Sequence, residues 1–293
     1  MLRILPLLVL LLLGACAVPL VSPDADLETY YALAQKELLA GGRLRTDTDP
    51  PDAPFTADDL VRDFIRVALF DEYSITHGRY VLRQNASRIR RWERPVRIDV
   101  IFGESTPPDQ RRTDLAEVRS YTRKLARLSG VDMRFAAQDE HANYLVLFLN
   151  RAEQFAFGDQ LRLRFPSIEP AVIDAFRNSP RNTFCVAYSF SKPSDPYAFA
   201  VSLILIKAEH KGIMRRSCIH EEMAQAMGLA NDSLQVRPSI FNDDEEFALL
   251  TRHDEILLRM LYDPRLKPGM NRARAEPLLH DIAQDALAAG AGS

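Results

Sequence analysis

The chain reads as a mixed α/β (α+β) protein, a sheet packed on helices, and three observations carry that reading. Residues 95–150 run strand, helix, strand. Residues 182–208 hold two further strands joined by a short turn-rich connector. An amphipathic helix then follows directly on the last strand, which puts a candidate functional helix behind the sheet.

Taken in order, "TADDLVRDFIRVALF" (56–70) has a Thr56 cap and apolar residues at Leu60, Phe64, Val67 and Ala68, the spacing of a helix. "PVRIDVIFG" (95–103) alternates like a strand, with Val96, Ile98 and Val100 on one face. "DLAEVRSYTRKLARLSG" (114–130) predicts an amphipathic helix capped by Asp114 and ended by Gly130. "ANYLVLFLN" (142–150) is apolar throughout and predicts a buried strand, and "PSIEPAVIDAFRNSP" (166–180) a short helix. "NTFCVAYSF" and "AFAVSLILIKA" predict strands separated by "SKPSDPY". "EEFALLTRHDEILLRMLYDPRL" (245–266) predicts one long helix and "ARAEPLLHDIAQDALAA" (273–289) a last one. No internal repeat is visible.

The first residues, "MLRILPLLVLLLLGACAVP", resemble a bacterial lipoprotein signal: an early Arg3, an apolar run too short to span a bilayer, and Gly14-Ala15 before Cys16. The resemblance implies cleavage after residue 15, lipid attachment at Cys16 and a place in the cell envelope, on the periplasmic face of the outer membrane. Residues 16–54 then read as anchor and flexible tether with one short helix over "LETYYALAQKELLA" (27–40), 55–270 as the folded domain and 271–293 as a C-terminal helix and tail. Without residues 1–15 the chain keeps 36 basic against 40 acidic side chains. That mildly acidic balance provides no general field for nucleic acid, and "RIRRWERPVR" (88–97) reads as a solvated edge. Cys185 and Cys218 remain as an even pair. In an oxidising compartment they suggest a disulfide, with two buried free thiols as the alternative.

The stretch "RRSCIHEEMAQAMGLANDS" (215–233) carries the candidate site. On a helix Glu221 and Gln225 share a face with Glu222 beside them, while Ile219, Met223, Ala226 and Met227 form the opposite, core-facing stripe. Gly228 suits a helix terminator, after which Asn231 and Asp232 turn back toward the polar face. Two adjacent glutamates need partners, and Arg215 and Arg216 are the nearest cations in sequence. "EEMAQAMGLAN" (221–231) resembles the metzincin pattern H-E-x-x-H-x-x-G-x-x-H, with Glu222 at the general-base position and Gly228 at the turn glycine. Glu221, Gln225 and Asn231 stand where that family has three zinc-binding histidines. "PSIF" and "LTRHDEILLRMLYDP" resemble the methionine turn, with Phe241 in place of the methionine, and the helix after it. The combination is similar to an uncharacterised family of bacterial lipoproteins, domain of unknown function 2927, with a zincin-like domain.

The resemblance implies a zincin-like fold whose ligand chemistry has been replaced. One carboxylate and two amides are poor zinc donors, so no cofactor is expected. Zinc, or calcium or magnesium on the oxygen-only set Glu221, Glu222, Asp232 and Gln225, is the alternative. His220 cannot restore the motif, because Ala224 stands four residues later. The function expected is a silent peptidase-like cleft that binds a peptide or envelope protein, with "NTFCVAYSFS" as the strand receiving it and Glu221, Gln225, Asn231, Asp232 and His220 as binding residues. Two alternatives stand beside it. One is an active hydrolase with Glu222 as general base; the other is a structural envelope protein in which the polar face is a packing network. His253 reads as a surface histidine, His77, His141, His210 and His280 as polar-set residues without ligand partners, and Asp243–Glu246 as a solvated acidic helix start.

Overall fold

The computed structural model describes residues 23–77 and 79–290. The expected signal segment and Cys16 lie outside them. The elements are α1 (Pro23–Ala40), α2 (Ala57–Ala68), β1 (Phe70–Thr76), β2 (Arg79–Ala86), β3 (Val96–Phe102), α3 (Pro108–Ser129), β4 (Met133–Phe135) and β5 (Tyr144–Leu149). They continue with α4 (Arg151–Arg164), α5 (Pro170–Arg177), β6 (Cys185–Lys192), β7 (Asp195–Lys207), α6 (Gly212–Gln225), α7 (Arg252–Leu261) and α8 (Arg272–Gly290). Five strands form one mixed sheet in the order β4-β3-β5-β7-β6. All neighbours are parallel except β6, which runs antiparallel to β7 and ends the sheet.

Strand β5 explains the layering. All six of its residues are buried, because helices cover both faces of the sheet. Tyr144, Val146 and Phe148 join the larger core with α2, α3, α6, α7 and α8, whereas Leu145, Leu147 and Leu149 face the smaller core under α4 and α5. A strand read as a continuous apolar run is therefore what a three-layer arrangement demands.

Several expectations change at this level. The short helix expected within the tether is α1, but the segment packs on the domain, burying Leu27 and Tyr31, and continues as an arm in which Leu44 packs with Met214 and Ala248. The last helix expected from the sequence is α8, and it is part of the domain rather than an appendage: its Ala275, Leu279, Ile282 and Ala283 enter the larger core. Asp114 does not cap α3. The helix starts earlier, at Pro108, and Asp114 lies inside it, buried and bidentate to the Arg215 guanidinium at 2.7–3.0 Å. The long helix expected over 245–266 is only α7: Thr251 caps it, and Asp254 accepts from Thr251, Ser239 and the Ile240 N–H, which fastens the preceding turn. His253 is fully buried, not at the surface, between Asp63 and Asp254. A two-stranded hairpin, β1–β2, was not anticipated and stands apart from the main sheet.

Candidate functional site

Helix α6 is fixed by what holds its last carbonyls. Helix C-termini leave carbonyls without intrahelical donors. Tyr121 Oη donates to His220 O at 2.8 Å, Tyr144 Oη to Met223 O at 2.6 Å, Trp92 Nε1 to Ala226 O at 2.9 Å and Tyr262 Oη to Met227 O at 2.9 Å. The apolar stripe expected from the sequence, Ile219, Met223, Ala226 and Met227, is buried against the larger core. Gly228 then turns the chain at φ 120°, and a Cβ there would meet Arg90 O at 2.2 Å, so only glycine fits. With one face so anchored, the other presents Glu221, Glu222 and Gln225 to a cleft of about 660 Å³.

The walls come from four places. Strand β6 lines one side from Cys185 to Phe190, and the hairpin contributes Glu72, Tyr73 and Tyr80. The segment after α6 brings Asp232, and the loop before α7 brings Asp243 and Glu245. Tyr73 and Tyr80 stack at 5.0 Å between centroids, and Tyr80 leans on Tyr188 of β6 at 5.6 Å. A disulfide between Cys185 and Cys218 ties the cleft strand to α6.

The site is acidic and poorly neutralised. Burial, then Glu245, Asp232 and Glu222, push the Glu221 carboxyl well above its ordinary value. Burial, then Asp232 and Glu72, do the same to Glu222, against one hydrogen bond from the Ala187 N–H of β6. Asp232 is raised by burial and by Glu72, although Gln225 Nε2 donates to it at 2.8 Å. Burial and Asp243 lift Glu72 to about 7, and burial with Asp243 and Asp244 lifts Glu245 to about 7. Glu222 is 4 % exposed and its Oε2 has no hydrogen-bond partner. Glu221 and Asp232 are half-buried and line the same recess.

The expected site residues separate into two groups. Glu221, Glu222, Gln225 and Asp232 come together on the cleft. Asn231 does not: its Nδ2 donates to Arg66 O at 2.9 Å and to Asp232 O at 3.0 Å, so it braces the turn instead. His220 faces the other side of α6, with Nε2 at 2.8 Å from Glu117 Oε1 and its ring stacked on Tyr121. Arg215 and Arg216 do not reach the glutamates; they pair with Asp114 and Glu117. Asp243–Glu246 is a loop rather than a helix start, and with Glu72 it supplies acidic groups that sequence reasoning missed. The signal for Glu72 was available in the alternating "DEYSITHGRYVLRQN", two strand-like runs about a His-Gly turn.

The residues at the three zinc-ligand positions do not assemble a zinc set. Gln225 is engaged with Asp232 and Asn231 is turned onto backbone carbonyls. Among the described residues, the one trio of His, Cys, Asp or Glu ligand atoms within 4.8 Å of one another is Cys185, Glu221 and Glu222. Its sulfur is in a disulfide and is no thiolate donor.

Fold and site together define an α/β protein with an acid-floored cleft beside an open strand edge. The chain belongs to the family described as "Protein of unknown function (DUF2927)", whose model matches residues 57–281. No curated protein and no solved structure matches it.

Proposed function

We propose that this chain is a lipid-anchored envelope protein on a zincin-like scaffold, and that its cleft binds peptides in extended form without cutting them. The observation that carries this is the position of β6. It ends the sheet, runs antiparallel to β7 and forms a wall of the cleft that α6 floors. A strand edge with free backbone groups accepts another strand, and adjoining recesses read alternate side chains. The single antiparallel edge strand and the helix crossing beneath it support the zincin-like reading. The "LGAC" stretch supports lipid attachment at Cys16 and an envelope location.

Silence in catalysis follows from the floor. Glu222 occupies the position of a general base, but Gln225 and Asp232 bond to each other where donors to an activating ion would be needed. The test is amide hydrogen exchange with and without an added library of extended peptides. Protection is expected at residues 185–190. Unchanged exchange there at saturating peptide rejects the binding mode, and peptide cleavage that disappears in Glu222→Gln rejects catalytic silence.

A further inference from the structure

The charge of the cleft goes further than strand addition and, resting on that reading, identifies the class of peptide. We propose that the cleft selects a peptide carrying an ammonium or guanidinium group, seated against Glu221 and Glu222 beneath the β6 edge. Seven carboxylates, those of Asp71, Glu72, Glu221, Glu222, Asp232, Asp243 and Glu245, line the recess. The cations among the described lining residues are Arg43 and Arg90, and Arg90 is held by Asp71. Crowding of this kind is costly unless something compensates it. Independently of the count, the Glu222 carboxyl is nine-tenths buried, yet its Oε2 has no donor within the protein. Glu222 lines the recess, and the Ala187 N–H of β6 favours its charged form without giving the shielded Oε2 a partner.

The spread of the carboxylates separates an organic cation from a metal ion. A calcium or magnesium ion needs its oxygens gathered at 2.0–2.6 Å from one centre. Among the described residues the one trio of candidate ligand atoms within 4.8 Å of one another is Glu221, Glu222 and a disulfide sulfur, so no three carboxylates gather that closely, and the acidic groups line a space of about 660 Å³. An ammonium brings three N–H donors and a guanidinium five, on a stem that can cross such a space. The stacked faces of Tyr73 and Tyr80 suit the stem and the cation. In an added strand, every second side chain turns toward the α6 floor, so one basic residue in the right register reaches the pair.

The test uses the full chain and acetylated, amidated seven-residue peptides of alternating Thr and Val, with Lys, Arg, norleucine, citrulline or Glu placed at each position in turn. Affinity is read by fluorescence anisotropy. At one register the Lys and Arg peptides should bind about tenfold or more tighter than norleucine and citrulline, and Glu weakest. The preference of Lys and Arg over norleucine and citrulline should vanish in Glu222→Gln and shrink in Glu221→Gln. A neutral peptide with a free amino terminus that matches the Lys peptide assigns the cation to the terminus, still in support. If neutral and basic peptides bind alike at every register, the charge selection is overturned and strand addition stands; if none binds, both fall. Displacement of the Lys peptide by stoichiometric calcium or magnesium overturns the organic-cation assignment in favour of a metal.

Discussion

Glu222 shows how one side chain can serve the site at the expense of the fold. A carboxyl that titrates higher in the folded chain than in the unfolded one costs nothing while both states are protonated, below about pH 4. The cost begins as pH rises through the ordinary value of 4.5 and is largest above the folded value, about 7 for Glu72 and Glu245. Glu221 and Glu222 are shifted the same way, by burial first and then by neighbouring carboxylates, so they carry a penalty of the same sign. Replacing Glu222 by Gln keeps the acceptor for the Ala187 N–H and removes the charge. Thermal denaturation at pH 8 should show a gain of about 0.5–2 kcal/mol, with little difference at pH 4.5. An unchanged or lower Tm at pH 8 would contradict the crowding. The opposite behaviour belongs to Asp114, whose partner Arg215 is 2 % exposed and also donates to Ala208 O and His210 O. Asp114→Ala strands a buried guanidinium and should cost about 3–5 kcal/mol in urea unfolding, whereas Glu117→Ala, at a partly exposed pair, should cost far less.

At the scale of elements, the cleft exists because β6 and α6 are held at a fixed separation, and two devices hold them. One is the Cys185–Cys218 bridge, closing a loop across 33 positions. In the chain-entropy picture such a loop contributes about 3–4 kcal/mol, so the Cys185→Ala, Cys218→Ala pair should lose roughly that stability. Hydrogen exchange in the same variant should speed up at residues 185–190 before it does in β5. A uniform change would mean that the bridge does not specifically secure the cleft wall. The other device is the α6 C-terminus. Its apolar stripe and Gly228 were legible in the sequence because a 3.6-residue period and a terminating glycine are local signals. The aromatic donors that satisfy its carbonyls come from Tyr121, Tyr144, Trp92 and Tyr262, scattered over four distant segments, and no local pattern announces them. The same distinction separates the site residues. Glu221, Glu222, Gln225 and Asp232 lie within one short stretch and could be grouped by helical geometry. Glu72 and Glu245 arrive through tertiary packing, and Asn231 was misplaced because its amide found backbone carbonyls closer than the cleft.

For the whole molecule, the question is what keeps the acidic loop before α7 closed over the site despite its charge. The arm after α1 lies along that loop: Leu44 N–H donates to Glu245 O, Arg45 N–H to Glu246 O, and Ala248 N–H returns to Arg45 O, each at 2.8 Å. Arg45 and Arg237 together bridge Asp47, Asp52 and Glu246. These ion pairs are largely exposed, and on their own they contribute little. The backbone pairing and the burial of Leu44 against Met214 and Ala248 do more, because they fix the path of 245–248. The arm itself lies before residue 57, where the family match begins, so it braces a site whose carboxylates lie within the matched residues. A chain beginning at residue 55 keeps both main cores and should still fold, with a loss of about 2–4 kcal/mol from the apolar contacts of α1 and the arm. Exchange should accelerate at 242–248 while β3, β5 and β7 stay protected, and the relaxed Asp243 and Glu245 should weaken the preference for basic peptides without abolishing strand addition at β6. Equal protection of 242–248 in the shortened and full chains would show that the acidic loop holds its own shape.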